Sequence, residues 1–181
     1  MKSMDEQVIS FWFEEIDPKS WWSAETAFDE LVRQRFLATL QQAAVGELSG
    51  WRASPEGRLA EIVVLDQFSR NIHRGTPAAF AQDPMALALS QEAVAAGALA
   101  SLQGAQRAFL LMPYMHSESR RVHEQAVALF AEWAPGNNHE FELKHKLIID
   151  RFGRYPHRNA ILGRESTAEE IEFLKQHGSG F

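Results

Sequence analysis

Two stretches of the chain carry the same acidic, basic and imidazole residues in the same order. The first, residues 65–75, reads Leu-Asp-Gln-Phe-Ser-Arg-Asn-Ile-His-Arg-Gly. The second, residues 149–159, reads Ile-Asp-Arg-Phe-Gly-Arg-Tyr-Pro-His-Arg-Asn. Asp66 matches Asp150, Phe68 matches Phe152, Arg70 matches Arg154, His73 matches His157 and Arg74 matches Arg158, at a constant offset of 84 residues. Guanidinium forks bind carboxylate or phosphate oxygens in pairs. Imidazoles exchange protons near neutral pH. The pattern therefore predicts a polar site for a small anionic ligand, with Asp66, Arg70, Arg74, Asp150, Arg154 and Arg158 as ligand-binding residues. The Arg70/Arg154 and Arg74/Arg158 pairs would hold the anion. His73, His157 and His116, the last in Met112-Pro113-Tyr114-Met115-His116-Ser117-Glu118, are the candidate acids or bases.

The same residue types also serve purely structural ends. Asp66 and Arg70 are four apart on one expected helix, acid first, the favourable order for an ion pair, and Asp150 and Arg154 share that spacing. Asp66 follows Leu59 by seven and Val63 by three, which sets it on or beside the apolar stripe, where a carboxylate needs a partner. The motifs could thus be buried locks or corners between helices, with any binding surface elsewhere. The histidine spacings match no standard metal-ligand pattern, and the absence of cysteine removes thiolate catalysis, disulfides and zinc–thiolate sites. No metal is expected, and no cofactor is indicated.

The elements that must position these residues all read as helix. Apolar residues recur at three and four in Asp5–Glu15, in 26–44 and around Val122–Trp133. Thr26 with Asp29 resembles a cap. Ser54-Pro55 marks a strong helix start leading into the first motif. Thr76-Pro77 opens a short turn, and Asp83-Pro84 starts a helix that stops at Gly97. A helix near Gln103–Met112 should end before Pro113, and Ser117 should cap the next. Glu140–Phe152 carries the second motif, and Thr167-Ala168-Glu169-Glu170 is a capping box for the last helix. The tryptophans read as core.

No strand is evident. The expected fold is all-α, a single domain over 1–181 arranged as a helical array or α–α superhelix of about eight to ten helices, with two similarly built halves carrying the motifs. The net charge of −6 argues against nucleic acid and anionic membrane as partners, and no apolar run is long enough to cross a bilayer. A cytoplasmic protein with a small anionic molecule or a protein or peptide as its partner fits this composition.

Several long segments resemble the bacterial family catalogued as domain of unknown function 924. They are Val8-Ile9-Ser10-Phe11-Trp12-Phe13, the whole first motif with Ala79-Phe80-Ala81-Gln82-Asp83, the Met112–Glu118 segment, and Arg151–Asn159 with Leu162-Gly163-Arg164. The resemblance covers nearly the whole chain. It implies a tetratricopeptide-like helical fold and carries no activity, substrate or catalytic residue with it.

Overall fold

The computed structural model describes residues 1–180. Among them the regular elements are all helical and none is a strand, as the apolar spacing predicts. The α-helices in order are α1 (Met4–Ser10), α2 (Thr26–Ala44), α3 (Pro55–Val63), α4 (Ser69–Ile72), α5 (Asp83–Ala95), α6 (Ala98–Ser101), α7 (Ala105–His116), α8 (Arg120–Trp133), α9 (Asn138–Phe152), α10 (Asn159–Leu162) and α11 (Ala168–Leu174). No described helix is long and apolar enough to cross a membrane.

The rod at the centre is α3 and α4, joined through a π-helical turn, Val64–Phe68. Its start follows from local chemistry. Pro55 occupies the first turn, and Ser54 Oγ accepts from the Gly57 amide at 3.0 Å. Helices α1, α2, α5 and α7 pack around this rod, so residues 59–69 are buried without a break. A helix enclosed on all sides must be apolar all round. Leu59, Ala60, Ile62, Val63, Val64, Leu65 and Phe68 meet that demand. The ionisable residues in this run are Glu61 and Asp66. Arg52 holds Glu61 with two hydrogen bonds of 2.7 Å.

A second π-helical turn, Phe11–Glu15, follows α1. It carries Phe11 and Trp12 into the aromatic centre of the core. Phe11 meets Phe36 and Phe68, and Trp12 meets Phe68 and Phe109 edge-on. Trp12 is fully buried as expected, whereas Trp22 is 66% exposed and only lies stacked against Phe109.

Three local expectations need correction. Helix α7 runs through Pro113 to His116, because a proline within a helix forfeits one hydrogen bond while buried Phe109, Leu110, Met112 and Met115 hold the turn in place. The cap of α8 is Ser119, which accepts from the Val122 amide, while Ser117 Oγ accepts from the Ser119 amide. The residue before α2 is Glu25, with no side-chain cap. Asp29 turns instead to Asn71 and Arg74 on the far side of the interface with α4.

Beyond α8 the packing changes. The main core runs from Val8 to Phe130, and a separate small cluster is built on Ile148, Ile149 and Tyr155 with Phe152 and Phe173. Helix α9 ends at Gly153, whose φ of +72° favours glycine. The capping box at Thr167 and Glu170 opens α11 as expected.

Gly57 is a packing constraint on the central rod. A Cβ there would lie 2.0 Å from the Trp51 carbonyl oxygen, which is backbone and cannot swing away. Gly57→Ala should therefore lower stability by about 1–3 kcal/mol through overpacking, despite the gain of about 1 kcal/mol in helix propensity. Gly50→Ala, with open space around it, should be near neutral. Urea midpoints of the two variants check both expectations.

Candidate functional site

The widened turn Val64–Phe68 sets Asp66 in the core at 1% exposure. Turns of this kind recur at functional sites. Each oxygen of its carboxylate is engaged. Gln67 Nε2 donates to Oδ2 at 2.7 Å, and Arg70 Nη1 and His116 Nδ1 reach Oδ1 at 3.2 and 2.7 Å. Burial alone would raise this carboxyl. The electrostatic pull of His116 and of Arg70, with the hydrogen bonds from His116 and Gln67, outweighs it and keeps Asp66 ionised, well below the ordinary carboxylate range.

An ionised Asp66 accepts, so His116 Nδ1 carries the proton and Nε2 presents a lone pair. Burial, joined by the charge of Arg70, pushes the imidazole below its ordinary value against the pull of Asp66. His116 is therefore neutral at physiological pH. Among the described residues Nε2 has no hydrogen-bond partner, and the side chain is 16% exposed.

The network extends to Asp83 at the first turn of α5. Arg70 Nη1 and Nη2 donate to its two oxygens at 2.8 and 3.0 Å. Arg158 approaches the same carboxylate at 3.7 Å and donates from Nη2 to the His116 carbonyl at 2.9 Å. Its guanidinium lies 4.7 Å from the ring centres of both Phe80 and Tyr155, and among the described residues its Nε is buried without a partner. Burial and the like charge of Arg70 push Arg158 below its ordinary value.

The first and second motifs therefore meet through Arg70, Asp83 and Arg158. Asp66, Arg70, His116 and Arg158 form one group, and the other candidates lie outside it. Arg74 forks onto Asp29 at 2.5 and 2.9 Å. Arg154 forks onto Glu170 at 2.8 Å on both branches, and that bond, opposed by burial, holds Glu170 down at about 2. Asp150 pairs with Lys146 at 2.5 Å rather than with Arg154, because Gly153 ends α9 before a helical i, i+4 pair can close. The expected pairing of Arg70 with Arg154 and of Arg74 with Arg158 is thus not formed. His73 ends α4, where burial and the charge of Arg33 lower it, and its ring makes no hydrogen bond to Asp66. His157 packs against Tyr155, with ring centres 5.7 Å apart.

The structure adds two carboxylates to the site, one of which, Asp83, escaped the sequence reading. Asp83 looked only like a helix start. Glu118 accepts a fork from Arg164 at 2.8 and 2.9 Å and the Tyr155 amide at 2.8 Å, which ties the second motif to the end of α7. The expectation of a buried carboxylate seeking an arginine fork was the available signal for both. No cluster of three or more potential metal ligands occurs among the described residues.

Fold and site together define an all-α protein with a buried Asp–Arg–His network at the junction of its central rod and α7. The chain belongs to the family described as bacterial protein of unknown function DUF924, whose profile matches residues 8–178. It is similar to a solved structure of a protein of unknown function from Agrobacterium tumefaciens, with 35% identity, 95% of this chain and 97% of that chain covered, and a TM-score of 0.90. None of the curated proteins matches it.

The buried imidazoles set the acid limit of stability. Burial holds His145 at about 3 and, with the charge of Arg158, His157 at about 4. The unfolded chain takes up these protons near pH 6.5, where the folded chain refuses them. The contribution of these two histidines should therefore be full above about pH 6.5 and fall below it by roughly 1.4 kcal/mol per pH unit for each. Urea unfolding at pH 7.5, 6.5 and 5.5 checks this. An unchanged midpoint between 6.5 and 5.5 contradicts it.

Proposed function

We propose that Asp66 and His116 form an acid–base centre for a small anionic ligand received between Arg70 and Arg158. The observation that carries this reading is the 2.7 Å contact from His116 Nδ1 to the buried Asp66, with no hydrogen-bond partner for Nε2 among the described residues. A carboxylate that fixes the tautomer and orientation of an imidazole, and so aims its other nitrogen, is the arrangement that proton transfer requires. The charges near it set the ligand class. Asp66 and Asp83 balance Arg70 and Arg158, so the group is neutral as built. A ligand of low charge enters by sharing the guanidiniums with Asp83, whose side chain is 18% exposed. Arg158, with no carboxylate at hydrogen-bond distance among the described residues, gains most from such a ligand. The chain would work in the reducing cytoplasm, in keeping with the absence of cysteine.

A second reading, a tetratricopeptide-like scaffold for a protein or peptide, draws on a shallow apolar groove between α8 and α9. Val127, Leu143 and Leu147 line it, and Leu147 is 68% exposed. Helical arrays bind peptides along such faces. In this reading the Arg–carboxylate forks are locks between helices.

A thermal-shift screen against acetate, malonate, inorganic phosphate, sugar phosphates and nucleotides separates the two. A ligand at 100 times its dissociation constant adds about 2.7 kcal/mol, roughly 5–10 °C for a chain of this size. The expected result is a selective shift that is lost in Arg158→Gln, measured against that variant's own baseline, and kept in Leu147→Ser. No shift with any of these compounds would remove the anion site and leave the scaffold.

A further inference from the structure

Helix α7 ends on three consecutive main-chain carbonyls, and each accepts a hydrogen bond from a side chain later in the sequence. Tyr155 donates its hydroxyl to Met115 O at 2.5 Å, Arg158 donates to His116 O at 2.9 Å, and His123 Nε2 lies 2.7 Å from Ser117 O. A carbonyl oxygen only accepts, so the last contact requires a proton on Nε2. The other ring nitrogen of His123, Nδ1, stands 2.6 Å from Glu142 Oε1, and both side chains are fully buried.

Two arrangements satisfy these distances. Either His123 is an imidazolium facing a carboxylate, or His123 is neutral and accepts from a protonated Glu142. A neutral His123 beside an ionised Glu142 would set a lone pair against an anionic oxygen at 2.6 Å with no hydrogen between them. Both permitted arrangements hold one proton more than that state, and both leave the pair neutral overall. The rest of the surroundings agree. Glu142 Oε2 is buried without a partner, which penalises an isolated charge there, and burial raises the carboxyl against the opposing pull of His123, Lys146 and His139. The ring of Tyr155 packs on His123, and His145 on α9 is held neutral by burial. The acid on the adjoining loop, Glu118, is already occupied by Arg164.

We infer that His123 and Glu142 jointly retain one proton at neutral pH, and that this proton fastens the end of α7, and His116 with it, to α8 and α9. Control of proton transfer at His116 by this pair rests on the function proposed above. The retained proton does not.

Between pH 7.5 and 9 the unfolded chain carries a proton on neither group, since free Glu and His titrate near about 4.3 and 6.5. The folded chain carries one. Folding therefore takes up a proton, and the unfolding equilibrium constant gains a factor of about ten per pH unit from this pair. In Glu142→Gln the amide donates to Nδ1 and the same bonds form without the extra proton. Denaturant unfolding across this range should show wild type losing stability with pH more steeply than Glu142→Gln by that factor. Equal slopes overturn the inference. Should Glu142→Gln fail to fold, NMR of the wild-type protein at pH 8 decides. The inference expects either both ring nitrogens of His123 protonated or a protonated carboxyl on Glu142. A singly protonated His123 beside an ionised Glu142 overturns it. His116→Gln should keep the wild-type slope, so loss of the acid–base reading at His116 and loss of the retained proton are separate results.

Discussion

The carboxylate of Asp66 is the constraint on which the rest of this structure turns. It is ionised and sits within a rod enclosed by four other helices, where an uncompensated charge would cost several kcal/mol. Every neighbour that meets it solves part of that problem. Gln67 and Arg70 come from the same rod, and His116 comes from the end of α7. Arg70 meets its second anion in Asp83, at the first turn of α5. Arg158 follows in turn, drawn in by Asp83 and by the His116 carbonyl. One buried charge thus accounts for polar residues arriving from separate parts of the chain.

The end of α7 is the complementary feature. A helix leaves its last carbonyls without intrahelical donors, and at the end of α7 Met115 is buried while His116 and Ser117 are half-buried. Tyr155, Arg158 and His123 supply side-chain donors there, so residues later in the chain complete a helix that belongs to the main core. The site and the join between the two apolar clusters are therefore made of the same atoms.

The sequence made much of this visible. The helical periods gave the fold class, and the position of Asp66 on an apolar stripe announced a buried carboxylate needing an arginine. His116 was visible as a candidate, though not its contact with Asp66. The repeat, however, is misleading in detail. Ser69 in the first copy continues a helix, whereas its counterpart Gly153 adopts positive φ and ends one, with Pro156 three residues on. Identical acids and bases on either side of that difference meet different partners. Asp66 is buried, and the side chain of Asp150 is 41% exposed. Asp83 and Glu118 were harder to read, because the partner of a buried arginine is chosen by where two helices cross, and residue spacing along one helix does not carry that information.

The small cluster of Ile148, Ile149 and Tyr155 has a kinetic meaning. It has only three buried apolar residues among those described, and its Tyr155 side joins the end of α7 through polar contacts. Segments of that kind open at lower free energy than the core they lean on, as units smaller than the whole molecule. An excursion of residues 153–170 would withdraw Arg158 and Tyr155 together, baring the last turn of α7 while the central rod stays folded. In hydrogen exchange the amides around Met115–His116 would then follow the C-terminal segment, although Met115 belongs to the main core.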